Sequence, residues 1–117
     1  MTLSISYFEE DKKSNQLEYL GMPEKPGSEL FGFESWRTNV WGKISNTKYL
    51  SKLATTDIYI FTNELEGFEK ELLIAFSKTL GYSKEFNIDK EDLEYRLNNA
   101  ISAARYAKDK GWGLCIS

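Results

Sequence analysis

The chain of 117 residues contains no histidine, and that omission governs the chemistry its other side chains can do. Histidine is the commonest general base near neutral pH, the central member of nucleophile–base–acid triads and a frequent zinc ligand. None of those arrangements can be built from this chain alone. The one cysteine, Cys115, lies between Leu114 and Ile116. With no imidazole to take its proton it is a poor nucleophile, and its apolar neighbours predict a buried structural thiol. Carboxylates remain, and two of them suffice for glycoside hydrolysis. Four acids crowd one stretch: Glu64, Glu66, Glu69 and Glu71. They surround Leu65, Phe68 and Leu72 as a solvated helix face surrounds its buried stripe, so wet surface is expected there and not catalysis. Gly111-Trp112-Gly113 resembles a fragment of a phosphate loop. Such loops follow a strand and open a helix, whereas this one follows an expected helix and precedes an expected strand, so helix termination and a tight turn explain it better. The sequence therefore predicts a protein that is not an enzyme and needs no metal or cofactor.

The most distinctive stretch is Trp36, Arg37, Asn39, Trp41 and Lys43. Five steps at roughly 100° per residue place the two indoles about 140° apart on a helix. They are either two core anchors on a wide stripe, or one core ring and one partly exposed ring beside stacking cations. The second reading makes Trp41 a candidate contact residue.

The elements that must position these residues follow from periodicity. Leu3, Ile5 and Tyr7 alternate with Ser4, Ser6 and Phe8, a strand pattern. Glu9 to Asn15 reads as a charged turn and Gln16 to Leu20 as a returning strand. Gly21 to Ser28 holds both prolines of the chain and reads as a loop. Leu30, Phe33, Trp36, Val40 and Ile44 recur at three- and four-residue steps and predict an amphipathic helix, with a further short helical turn over Lys48 to Leu53. Asp57 to Thr62, nearly continuously apolar, predicts a central strand covered on both faces. A helix capped by Asn63 and Glu66 and stopped by Gly81 should bury Leu65, Phe68, Leu72, Leu73, Phe76 and Leu80. A second helix should open at Asp89, bury Leu93, Leu97, Ala100, Ile101 and Ala104, and end at Gly111. Trp112 to Ile116 is the last expected strand. This order predicts one α+β domain over residues 1–117, a small sheet of about four strands packed with three or so helices.

Composition narrows the function classes. Aromatic content is 15%, and the net charge is −3 with a pI near 5.1. An acidic balance disfavours nucleic acid and anionic lipid as partners. The charge is nonetheless blocked: residues 33–56 hold four bases, Arg37, Lys43, Lys48 and Lys52, against the single acid Glu34. The N-terminus has no basic and apolar signal segment, and no apolar run approaches the roughly 20 residues of a membrane span. A reducing cytosol is the expected compartment.

The segment Phe33-Glu34-Ser35-Trp36-Arg37-Thr38-Asn39-Val40-Trp41, the middle strand, the acidic helix and the ending Leu93 to Ile116 together resemble the small immunity proteins with which bacteria neutralise polymorphic toxins, including those of contact-dependent growth inhibition. The resemblance is one of general style and carries no diagnostic motif. It implies a cytosolic protein that binds one cognate toxin domain and blocks it. Many such toxins are nucleases with basic clefts, to which an acidic inhibitor is steered. Expected contacts are Glu9, Glu10 and Asp11 in the first turn, Glu64, Glu66 and Glu69 on the acidic helix, and Trp41 or Tyr59 as an aromatic anchor. A small regulatory or ligand-binding domain is the alternative, and an enzyme subunit completed by another chain is the third.

Overall fold

The structure is a computed structural model that describes residues 2–11, 16–21, 30–44 and 46–117. Among these residues the elements run β1 (Thr2–Asp11), β2 (Gln16–Gly21), β3 (Leu30–Phe33), α1 (Trp36–Asn39), β4 (Ile58–Ile60), α2 (Leu65–Ser77), α3 (Thr79–Phe86), α4 (Lys90–Lys110) and β5 (Gly113–Ile116). Three single 3-10 turns, Trp41–Lys43, Leu50–Ala54 and Thr62–Glu64, link them. The fold is α+β. Its antiparallel sheet has the order β2-β1-β5-β4, with β3 pairing the start of β1.

Strand pairing separates the two sheet faces residue by residue. Ile5, Ile116 and Ile58 form one row across β1, β5 and β4, and Tyr7, Leu114 and Ile60 form the next. These rows face the helical layer: the Tyr7 ring lies 5.4 Å from that of Tyr106 on α4. Between them the row Ser6, Cys115, Tyr59 points the opposite way. α4 lies on the sheet with α2 packed beside it. Leu93, Leu97, Ala100, Ile101 and Ala104 are all buried as expected, joined by Ala103 and Ala107. Alanines on this face let α2 approach closely. The ends of α4 also match expectation. The Asp89 carboxylate accepts the Glu91 N–H at 3.2 Å, and Gly111 closes the helix at φ 73°.

Several expectations fail for physical reasons. The helix expected from Leu30 to Ile44 is a strand, one turn of α-helix and one 3-10 turn. Gly32 has φ 119°, and a Cβ on it would stand 2.6 Å from Trp36 Cε3. This backbone is open to glycine alone, and it breaks any helix there. The apolar spacing is still satisfied, because Phe31, Trp36, Val40, Trp41 and Ile44 are all buried. Asp57 to Thr62 is not a central strand. β4 lies at the edge of the sheet and alternates, with Ile58 and Ile60 inside and Tyr59 53% exposed. The doubly covered central strand is β5, buried at all four positions.

The cap of α2 also differs. No side chain caps α2 itself; Glu64 instead accepts the Phe61 N–H at 3.3 Å, at the start of the preceding 3-10 turn. Gly81 does not stop the helix; the break falls at Lys78, and Gly81 lies within α3. Glu9, Glu10 and Asp11, expected in a turn from Glu9 to Asn15, belong to β1 and pair with Glu18, Leu17 and Gln16. Residues 12–15 and 22–28 of the expected turn and loop lie outside the described residues. Gly113 is a strand residue and not part of a turn. Its bare Cα seats the Phe8 ring, which a Cβ would meet at 2.3 Å.

Candidate partner-binding surface

Trp41 is fully buried. Its ring stacks on Phe31, and its N–H donates to the Phe31 carbonyl. Trp36 is buried as well, edge-on to Trp41 at 5.6 Å. The reading of Trp41 as an exposed contact is therefore corrected: both indoles are core anchors. Arg37, from the same basic stretch, is held internally by the Glu34 and Asp57 carboxylates and by the Thr56 carbonyl at 3.0 Å. It ties the start of β4 to the segment before α1.

The acids of α2 are also mostly structural, which corrects their assignment to open solvent. Glu71 turns its carboxylate onto the backbone N–H groups of Lys48, Tyr49 and Leu50, at 2.9 Å for Leu50. A side chain thereby satisfies donors at the head of a 3-10 turn that has no cap of its own. Glu64 accepts the Tyr49 hydroxyl at 3.2 Å as well as the Phe61 N–H. Glu69, with only 14% of its side chain exposed, takes Arg105 at 2.8 Å and Lys108 at 3.3 Å from α4. Those two cations hold its carboxyl below the ordinary glutamate value. Glu66 alone is open, with Lys70 at 3.9 Å. Of the other expected contacts, Glu9 is exposed on β1, and Tyr59 is exposed at the sheet edge with its ring 6.1 Å from Phe8. The side chains of Glu10 and Asp11 lie outside the described residues. Of the expected contacts whose side chains are described, Glu9, Tyr59 and Glu66 are the exposed ones.

The exposed apolar side chains of the helices are a different set. α2 presents Leu73 (42% exposed) and Ile74 (58%) to solvent, and α3 presents Leu80 (57%). The stripe expected to be wholly buried thus divides: Leu65, Phe68 and Leu72 enter the core, and Leu73 and Leu80 do not. Beside Ile74 a half-open cleft of about 300 Å³ runs between α2, the start of α3 and the segment before the Leu50 turn. Ile44, Ala75, Ile74 and Tyr82 supply its apolar lining, Asn46 and Thr47 one polar edge, and Lys70 and Lys78 its cations. Glu71 also lines it, but that carboxylate is occupied by the three backbone donors. Asn46 holds a left-handed turn at φ 61°, which asparagine tolerates better than most residues.

Two signals in the sequence mark this cleft, and neither belongs to a catalytic motif. Gly67 interrupts a run of good helix formers between Glu66 and Phe68. Ile74 stands on α2 opposite the buried stripe. The buried thiol of Cys115 sits on the far sheet face, and burial raises its pKa, so it stays protonated and inert, as expected from its neighbours. Comparison with protein-family models, curated proteins and solved structures finds no match to this chain.

Proposed function

We propose that this chain is an immunity-type binding protein, which holds a cognate bacterial toxin domain and thereby blocks it. The observation that carries the reading is the exposure of Leu73, Ile74 and Leu80 on α2 and α3. Single exposed aliphatic residues are ordinary, but three on two successive helices, one of them lining a cleft, are the material of a protein contact. The composition agrees: there is no histidine and the aromatic content is high. A net charge of −3 favours approach to a basic domain such as a nuclease. The style of the chain, with its Trp-rich segment and its last helix leading into a short strand, is that of the immunity proteins it resembles. With no catalytic role in this reading, the protein works in the cytosol, where such a toxin acts, and needs no cofactor.

Co-expression in bacteria with the toxin domain encoded beside it tests the reading. Cells carrying both should grow, and cells carrying the toxin alone should not. Equal killing with and without this chain overturns the proposal.

The cleft favours a second reading, that of a small regulatory or ligand-binding domain. Its volume of about 300 Å³ is near the lower bound for small-molecule pockets. A rise in melting temperature with a metabolite, in the absence of any protein partner, would support that reading over the first.

A further inference from the structure

We infer that the α2–α3 cleft is the place where the partner docks, and that it receives a polypeptide segment carrying a large apolar side chain next to carboxylates. The inference rests on the binding reading proposed above and adds the surface and the chemistry of the contact.

Gly67 is the first observation. It is the third residue of α2, in its first turn, and glycine is the least favourable helix residue after proline. Among the other described glycines, Gly32 and Gly111 adopt positive φ, and Gly42 and Gly113 face atoms that a Cβ would strike. Gly67 has neither cause. Its φ is ordinary, and a Cβ there would meet nothing within 4 Å. What the missing side chain does is leave one wall of the cleft bare, so that an incoming backbone can approach α2 closely. Gly81 is equally unconstrained by its surroundings but does not line the cleft, which makes it the natural control.

Charge is the second observation. Lys70 and Lys78 stand eight residues apart, about 12 Å along the helix direction at 1.5 Å per residue, and both line the cleft. Among the described residues no ion pair involves Lys78. The Lys70 contact to Glu66 is 3.9 Å long between side chains that are each more than 70% exposed, a geometry that holds a lysine only weakly. The one carboxylate of the lining, Glu71, is turned onto backbone N–H groups. The cleft therefore offers the exposed Ile74 and the partly exposed Tyr82, over a floor of buried Ile44 and Ala75, beside two available cations. Its complement is an aliphatic or aromatic side chain with an aspartate or glutamate near it. This local sign is opposite to the net charge of the chain. Net charge acts on approach over a Debye length, and the lysines act at contact.

Calorimetric titration with the adjacently encoded toxin domain tests the inference, using wild type, Gly67→Leu, the double variant Lys70→Glu/Lys78→Glu, and Gly81→Ala. Gly67→Leu fills the cleft without touching the core, so its melting temperature should not fall. Both cleft variants should weaken binding by about tenfold or more, while Gly81→Ala binds as wild type. Folded cleft variants that bind as tightly as wild type overturn this inference and leave the binding reading standing. A wild type that does not bind overturns both. Two other occupants are read in the same samples. If wild type alone is a dimer in sedimentation and Gly67→Leu a monomer, the occupant is a second copy. If millimolar inorganic phosphate raises the melting temperature of wild type but not of the lysine variant, the cleft is a small-anion site. Either result overturns the inference.

Discussion

Trp41 lies flat on Phe31, with ring centroids 4.2 Å apart and planes 9° from parallel, and its indole N–H donates to the Phe31 carbonyl at 2.8 Å. The stack joins β3 to the 3-10 turn that follows α1. It therefore holds together the segment in which helical spacing is present but no long helix forms. Replacing Trp41 with alanine should cost about 3–5 kcal/mol, as large buried aromatics do, with a further cost from the orphaned Phe31 carbonyl. That is a large part of the stability of an ordinary domain. Urea unfolding checks this, and a loss below about 1 kcal/mol would mean that the indole is no core anchor.

Glu71 gives a second prediction of the same kind. Its carboxylate satisfies three backbone donors at Lys48, Tyr49 and Leu50. Glu71→Ala should destabilise the fold by about 1.5–3 kcal/mol, the range for hydrogen bonds to a charged group. A solvated acid on a helix face would cost nothing measurable. Chemical denaturation distinguishes the two, and faster amide exchange at Lys48 to Leu50 would localise the loss.

How much of this was legible in the sequence depends on whether local rules met competition. α4 was legible from end to end, because Asp89, the buried stripe and Gly111 all act within the helix. β1 and β5 were legible from alternation and apolar content. The Leu30 to Ile44 stretch was not. Steps of three and four residues suit a helix, yet they equally suit a chain that folds back through Gly32 and presents Phe31 and Trp41 to each other. β4 was misjudged because apolar content cannot tell an edge strand, with Tyr59 exposed, from a central one. Glu66, Glu69 and Glu71 were correctly placed on a helix, with Glu64 in the 3-10 turn just before it, but the partners that occupy Glu64, Glu69 and Glu71 come from residues as far away as Lys108. Spacing along one helix carries no information about them. The cleft left two local traces, Gly67 and Ile74.

Protonation offers a third test, at both ends of the pH scale. The carboxyl of Glu69 is held below its ordinary value of 4.5, first by hydrogen bonding from Arg105 and then by Lys108. A depressed folded-state pKa contributes stability that is present above the ordinary value and is lost as pH falls through the folded one. Tyr7 is the opposite case. Burial, with Tyr106 nearby, raises its phenol to about 12. The neutral phenol is the form the fold keeps, so that contribution is intact below the ordinary value of 10.0 and is lost as pH climbs towards 12. Melting curves of Glu69→Gln should lose less stability than wild type between neutral pH and pH 3. Those of Tyr7→Phe should lose less than wild type above pH 10. Curves parallel to wild type would contradict the two assignments.

Cys115 supplies a fourth prediction. The thiol is buried on β5, and burial pushes its pKa up. A disulfide reagent at neutral pH should leave it unmodified in the native protein and modify it completely in denaturant. Rapid native labelling would place the thiol at the surface.

The central claim is that this chain acts by holding a protein partner. The most direct measurement is the titration of the purified wild-type chain with the purified product of the adjoining gene, which on this proposal is the toxin domain. The account predicts a saturable one-to-one complex whose formation abolishes the activity of the toxin. No heat of binding, together with an undiminished toxin activity at a molar excess of this chain, would contradict it.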